Sequence, residues 1–237
     1  LSIIVLGCQT KQKESIAIAE HKNQKPNIIY ILADDLGYGD VQSFNPVGKI
    51  PTPNLNDMSS NGAKFTDAYT SSSVCTPTRY SILTGRYNWR TELKSFVVSG
   101  YSKSLIKQER TAVAEMLKTQ GYHTAFIGKW HLGWDWEITK EDEKFSRDKL
   151  NARPEVDFSK PITNGPNSHG FDYTFGFCGS LDMAPYVYIE NNQPTMVPTK
   201  TTVSVDEKGV WREGVTSDDF NHANVLQDLT DKAVHYI

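Results

Sequence analysis

Cysteine is scarce in this chain: three residues, Cys8, Cys75 and Cys178, among 237. An odd count at irregular spacing argues against a disulfide framework, and no Cys-x-x-Cys pair suggests zinc. Charge of one sign is lacking as well, with 25 Lys and Arg against 28 Asp and Glu and a net of −3. That balance offers no basic stripe for a phosphate backbone, so no nucleic-acid partner is expected. Long apolar runs are missing too, since no stretch approaches the roughly 20 residues a membrane-spanning helix requires. What is left, 38% hydrophobic and 22% charged, is the composition of an ordinary globular domain with a sizeable core.

The apolar tract Leu1 to Gly7 ends at Cys8 and runs into the polar Gln9-Thr10-Lys11-Gln12-Lys13-Glu14. A short apolar run at this place is a targeting segment more often than structure. Ending in Gly-Cys, it looks like the tail of a bacterial lipoprotein signal, cut before a cysteine that then carries the lipid. Residues 1–25 are on that reading a signal remnant and polar tether. Cys8 is the lipidation site, the membrane is met only through that lipid, and the protein works in the bacterial cell envelope, periplasmic or on the surface. A buried N-terminal strand is the alternative. Acyl labelling lost on Cys8→Ala supports the anchor, and labelling that survives the change rejects it.

The folded part is expected to begin at Pro26. Asn27-Ile28-Ile29-Tyr30-Ile31-Leu32 is a continuous apolar run rich in β-branched residues, the pattern of a central strand buried on both faces. It stops at Asp34-Asp35, and carboxylates at the carboxyl end of a buried strand lie where an open α/β sheet places its ligands. Thr52, Pro53 and Gly62 bracket a helix as cap, first-turn proline and stop. Ala63 to Tyr69 alternates toward a strand that leads to Cys75. Pro77 to Leu83 suits a helix closed by Gly85. Thr111 is placed to cap a helix carrying Val113, Met116 and Leu117, closed by Gly121. A strand over His123 to Ile127 follows, and Asn224 to Ile237 has a helical pattern. Residues 135–168, polar, charged and proline-containing, are expected to form a long surface insertion. Strand and helix in alternation make this an α/β fold with a mostly parallel central sheet sandwiched by helices.

Four patches carry chemistry. Cys75-Thr76-Pro77-Thr78-Arg79 places a cysteine at a helix start, where free N–H groups and the helix dipole favour an anion. Arg79, one turn on, can present directed donors to anionic oxygens. Asp34 and Asp35 suit a hard divalent cation, calcium first and magnesium second, better than they suit zinc. Lys129 and His131, two apart just past a strand, can face one site, and a histidine near its unperturbed pKa of ~6.5 can move a proton at neutrality. The fourth patch, His169-Gly170-Phe171-Asp172, reads as a structural turn with a buried phenylalanine. Cys178, in an aromatic and Gly-rich run, reads as a small buried hydrophobe.

Cys75-x-Pro77-x-Arg79 with Leu83-Thr84-Gly85-Arg86, together with the other three patches, resembles the type I sulfatases of the alkaline-phosphatase superfamily, in particular bacterial polysaccharide sulfatases. Thr78 departs from the serine most often seen at its place. The resemblance covers residues 26–237 and implies the N-terminal part of a sulfatase catalytic domain. It further implies that a maturation enzyme oxidises Cys75 to formylglycine, whose hydrate attacks sulfate esters. Asp34, Asp35 and the modified Cys75 are the implied metal ligands. Arg79 and Lys129 are implied to brace the hydrated aldehyde, Lys129 to contact the sulfate and His131 to take the proton that releases it. Family members normally run to about twice this length, and this fragment alone is expected to be incomplete. A sulfated glycan is the favoured substrate, with Trp89, Trp130, Trp134 and Trp136 as flat faces suited to sugar rings. A phosphohydrolase of the same superfamily and a non-catalytic glycan-binding lipoprotein are the alternatives.

Overall fold

Helix boundaries follow local punctuation. The computed structural model describes residues 25–143, 150–206 and 209–237, which divide into two units at Ala63 and Lys64. Residues 1–24, and with them the signal and lipidation readings for Cys8, lie outside the described residues. In the first unit, α1 spans Pro53–Asn61, with Thr52 at its N-cap, Pro53 in its first turn and Gly62 after its end.

The buried strand expected over 27–32 is not found. Ile28 and Ile31 are 58% and 80% exposed, and the run pairs with no strand among the described residues. A strand exists only as part of a ladder, so β-branched composition without a partner leaves an apolar segment facing solvent. Residues 63–69, expected to alternate as a strand, form none either.

In the second unit, α2 (Cys75–Thr84) ends at Gly85, whose amide bonds back to Ser81 at 2.9 Å. α3 (Val113–Thr119) starts one residue later than its expected Thr111 cap implies. Its capping donor is Ala112 N–H, bonded to the Glu115 carboxylate at 2.6 Å. β1 (Ala125–Lys129) follows, two residues downstream of the expected start.

The segment expected as a surface insertion is partly core. It forms the short antiparallel pair β2 (Ile138–Lys140) and β3 (Glu155–Val156), and it buries Trp136, Ala152 and Ile162. Apolar anchors spaced along a polar stretch pull it onto the molecule in spite of its composition.

β4 (Tyr173–Phe177) runs parallel to β1, Ala125 facing Tyr173 and Lys129 facing Phe177. β5 (Ile189–Glu190) and β6 (Gln193–Pro194) continue the sheet antiparallel, in the order β1-β4-β5-β6. Asn191 and Asn192 turn between them with φ of 48° and 72°, the left-handed pair a tight hairpin needs. The fold is α/β as expected. Its main sheet is mixed rather than mostly parallel, because the connection between β4 and β5, residues 178–188, carries no crossover helix to bring the chain back parallel.

β7 (Lys200–Asp206) and β8 (Gly209–Thr216) form a separate antiparallel ribbon that the sequence reading did not anticipate. α4 (Val225–Tyr236) closes the described chain. It is held by Tyr188 Oη donating to Asp228 at 2.9 Å and by Lys232 on Glu190 at 2.9 Å. The core gathers Trp130, Leu132, Trp134, Phe175, Tyr186 and Ile189 around the β1–β4 pair.

One close approach fixes that pair. A Cβ on Gly176 would lie 1.9 Å from the Gly128 carbonyl oxygen, so β4 can lie this near β1 only with glycine at that place.

Candidate active site

β1 and β4 run in the same direction, so their carboxyl ends share one edge of the sheet, the place where such sheets bind ligands. The backbone pairing continues past both strands: Trp130 N–H bonds Phe177 O at 3.0 Å and His131 N–H bonds Cys178 O at 2.7 Å. Lys129 and His131 leave from this edge. Ser180 lies three residues past β4, and Lys129 Nζ reaches its hydroxyl at 3.4 Å.

α2 meets the same edge. Arg79 donates from Nη1 to the Lys129 carbonyl, clamping the first turn of the helix to the end of β1. Thr76, fully buried, donates its hydroxyl to the His131 carbonyl at 2.8 Å and accepts from Val98 N–H at 3.3 Å. His131 Nε2 lies 2.9 Å from the Val98 carbonyl, completing a closed triangle of Thr76, Val98 and His131. A carbonyl only accepts, so Nε2 carries a proton. His131 has φ of 51°, a left-handed backbone uncommon outside glycine, and the Thr76 hydroxyl bonds that backbone directly.

Cys75 is the first residue of α2 and half-buried. A helix leaves its leading amides without intrahelical partners. Here Thr78 is the first to bond back, to Val74 at 3.2 Å, and Pro77 has no N–H. The amides of Cys75 and Thr76 therefore lead the helix, with its positive dipole end behind them. Thr78, where the motif usually has serine, donates to the Ser72 carbonyl at 2.6 Å, an O–H bond that serine could also make.

Cys178 differs in every respect. It is completely buried, and burial pushes its thiol well above the ordinary range, as expected of an inert packing residue. His169 is also structural: buried, stacked on Trp130 at 6.3 Å and 15°, its pKa lowered by burial. Asp172 of the same motif bonds Thr124 N–H at 2.9 Å and pairs with Lys118 at 2.7 Å. Those bonds, Lys118 first and Thr124 second, bring its pKa down to about 2.

Of the residues singled out from sequence, Arg79 is bonded to the Lys129 carbonyl, and Thr76, next to Cys75, ties the head of α2 to the His131 backbone. Thr76 and the Val98 carbonyl were missed. Thr76 sits inside the cysteine motif at a position the motif leaves open, and a backbone carbonyl leaves no mark in a sequence. Asp34 and Asp35 belong to the first unit; both are exposed, and Asp35 has φ of 57°. Adjacent carboxylates fit a hard cation, yet the described residues gather no group of three or more His, Cys, Asp or Glu around a common point.

Fold and site together describe an α/β protein in which a helix led by a cysteine is joined to the carboxyl end of a parallel strand pair. Comparison with known proteins narrows that class. The Sulfatase family model matches residues 26–236, and the chain belongs to this family. It is 35% identical over 215 residues to the N-acetylgalactosamine-6-O-sulfatase of Bacteroides thetaiotaomicron, covering 89% of this chain and 38% of that protein. It is 44% identical over 222 residues to bovine (Bos taurus) arylsulfatase A, again covering 89% and 38%. A solved structure tied to the metabolism of multiple glycosaminoglycans by B. thetaiotaomicron superposes with a TM-score of 0.72 at 30% identity, covering 90% of this chain and 48% of that one. The chain thus spans less than half the length of each.

Proposed function

We propose that this protein hydrolyses sulfate esters of a sulfated glycan, with Cys75, Arg79, Lys129 and His131 as its working residues. The observation that supports the reading is the joining of α2, which Cys75 leads, to the end of β1 through Arg79 on the Lys129 carbonyl and Thr76 on the His131 carbonyl. Oxidised to formylglycine, Cys75 would offer a hydrated aldehyde. One hydroxyl would take the sulfuryl group as the ester's S–O bond breaks and the glycan alcohol leaves with a proton. The other would lose its proton so that C–O cleavage releases sulfate and restores the aldehyde. Asp34 and Asp35 would hold a divalent cation, calcium in first place and magnesium in second, which supplies positive charge against the sulfate oxygens.

The chain's own side chains account for the rest. Arg79 is held by the Lys129 carbonyl beside the end of β1, and a guanidinium there would suit an anion with directed donors. Lys129, steadied by Ser180, brings a second positive charge to the same edge. His131, buried and held through Nε2 at the Val98 carbonyl, would serve as the proton-transfer group. Pro77 is buried and Arg79 is engaged in the folded chain, so a maturation enzyme that reads them must act before α2 packs.

The glycan part leans on the relatives, one named for a 6-O-sulfated sugar and one solved in the context of glycosaminoglycan metabolism. The test is mass analysis of the Cys75 peptide from the native host, with sulfate release measured beside it. An aldehyde at Cys75 and a loss of at least about a thousandfold in turnover on Cys75→Ser are expected. A plain thiol in every molecule, or faster turnover of phosphate than of sulfate esters, overturns the proposal.

A further inference from the structure

The four tryptophans suited to sugar stacking part company in the structure. Trp130 and Trp134 are 1% exposed and Trp136 is 8%, so these three are core. Trp89 is 56% exposed and lies face to face with Tyr87, itself 52% exposed, at 4.0 Å between ring centroids and 12° between planes. A short 3-10 turn, Asn88–Arg90, holds the two rings together: Arg90 N–H bonds Tyr87 O at 3.2 Å and Thr91 N–H bonds Asn88 O at 2.9 Å. The pair stands directly after Gly85, at the opposite end of α2 from Cys75. Ten residues of helix place it roughly 15 Å along the axis from the nucleophile position.

The surroundings are cationic in a chain of net charge −3. Arg86, Arg90 and Lys94 fall within nine residues, and Lys94 Nζ is anchored on the Trp89 carbonyl at 3.1 Å. The single carboxylate of this stretch, Glu92, is paired with Lys107 at 3.2 Å. Two flat rings already ordered against each other give up little freedom on binding, and their outer faces match the apolar face of a pyranose. Cations around them match sulfate, and arginine does so with directed paired donors. An unsulfated sugar would use only the rings, and a small inorganic anion only the cations.

We propose that Tyr87 and Trp89, flanked by Arg86, Arg90 and Lys94, form an accessory binding platform for a sulfated glycan chain, separate from the site where the ester is cleaved. The inference rests on the sulfated-glycan reading above. Binding is therefore measured on the whole protein with Cys75→Ser in place, so that no turnover is needed. The probe is a chondroitin sulfate hexasaccharide, compared with its chemically desulfated counterpart and followed by tryptophan fluorescence and calorimetry. The sulfated probe is expected to bind and the desulfated one to bind at least tenfold more weakly. Trp89→Ala is expected to weaken binding about tenfold, Trp89→Phe to retain most of it, and Arg90→Gln with Lys94→Gln to weaken it and flatten its salt dependence. Thermal melting checks that each variant is folded. Equal affinity in Trp89→Ala, or in the double glutamine variant, overturns the proposal. So does a Trp89 already shielded from a soluble quencher in the free protein, which would mean that another part of the chain covers the rings. Failure of sulfate release by the unmutated protein would instead count against the catalytic reading and leave these binding results intact.

Discussion

At the residue scale, two cysteines and two histidines show how position decides chemistry. Cys75 leads a helix and is partly open, whereas Cys178 is sealed in the core with its thiol pushed up. His131 is tied into the sheet edge, whereas His169 stacks on Trp130 and is structural. The cysteine motif made Cys75 and Arg79 legible because both sit within one helical turn. Thr76 was not legible, since its role is to bond residues 22 and 55 positions away, which no local pattern encodes. Asp172 gives a prediction at this scale. Its folded pKa is depressed from 3.8 to about 2 by Lys118 and Thr124, so its charge contributes stability above about pH 4 and loses it as pH falls toward about 2. Asp172→Asn keeps an oxygen acceptor for Thr124 and removes the charge together with the oxygen that pairs with Lys118. The gap in urea midpoint between the wild type and this variant is expected to be full at pH 7 and clearly smaller at pH 3. A gap of equal size at both values would refute the assignment.

At the scale of elements, the helices were legible because their ends are written in single residues: Pro53 and Gly62, Gly85, and the apolar spacing of Val225 and Leu229. Strands were less so. Asn27 to Leu32 has strand composition without a ladder, and the β7–β8 ribbon went unseen, because pairing depends on residues that a local window does not contain. Nor could the sequence show how near β1 and β4 run, although the glycine that allows it, Gly176, is plain to see. Gly176→Ala would set a methyl group against the Gly128 carbonyl, and backbone cannot swing aside as a flexible side chain can. The expected cost is about 1–3 kcal/mol in urea unfolding. Spreading β1 from β4 also moves Lys129 away from Ser180, so sulfate turnover should fall with stability. Gly39→Ala, where the added carbon meets only Asn45 at 3.6 Å, is the matching control and should change stability by less than about 0.5 kcal/mol. Equal effects from the two substitutions would show that the close approach of the strands is unimportant.

At the scale of the molecule, the two units divide the proposed chemistry unequally. The anion-handling groups, Cys75, Arg79, Lys129 and His131, are all in residues 64–237, while the only adjacent carboxylate pair proposed for a metal, Asp34 and Asp35, is in residues 1–63. Calcium takes six to eight oxygens, and its affinity falls steeply as charged ligands are removed. Two exposed aspartates, with no third acidic, histidine or cysteine partner gathered among the described residues, fall well short of such a shell. Relatives more than twice as long as this stretch have ample further chain in which to carry additional ligands. Residues 1–237 by themselves are therefore expected to bind calcium no more tightly than about 10⁻³ M. Titration calorimetry on that stretch, with Asp34→Asn and Asp35→Asn as comparisons, measures it directly. Micromolar binding that disappears in both variants would show that the pair already belongs to a finished metal site, and that the cation can be held without any other part of a longer protein.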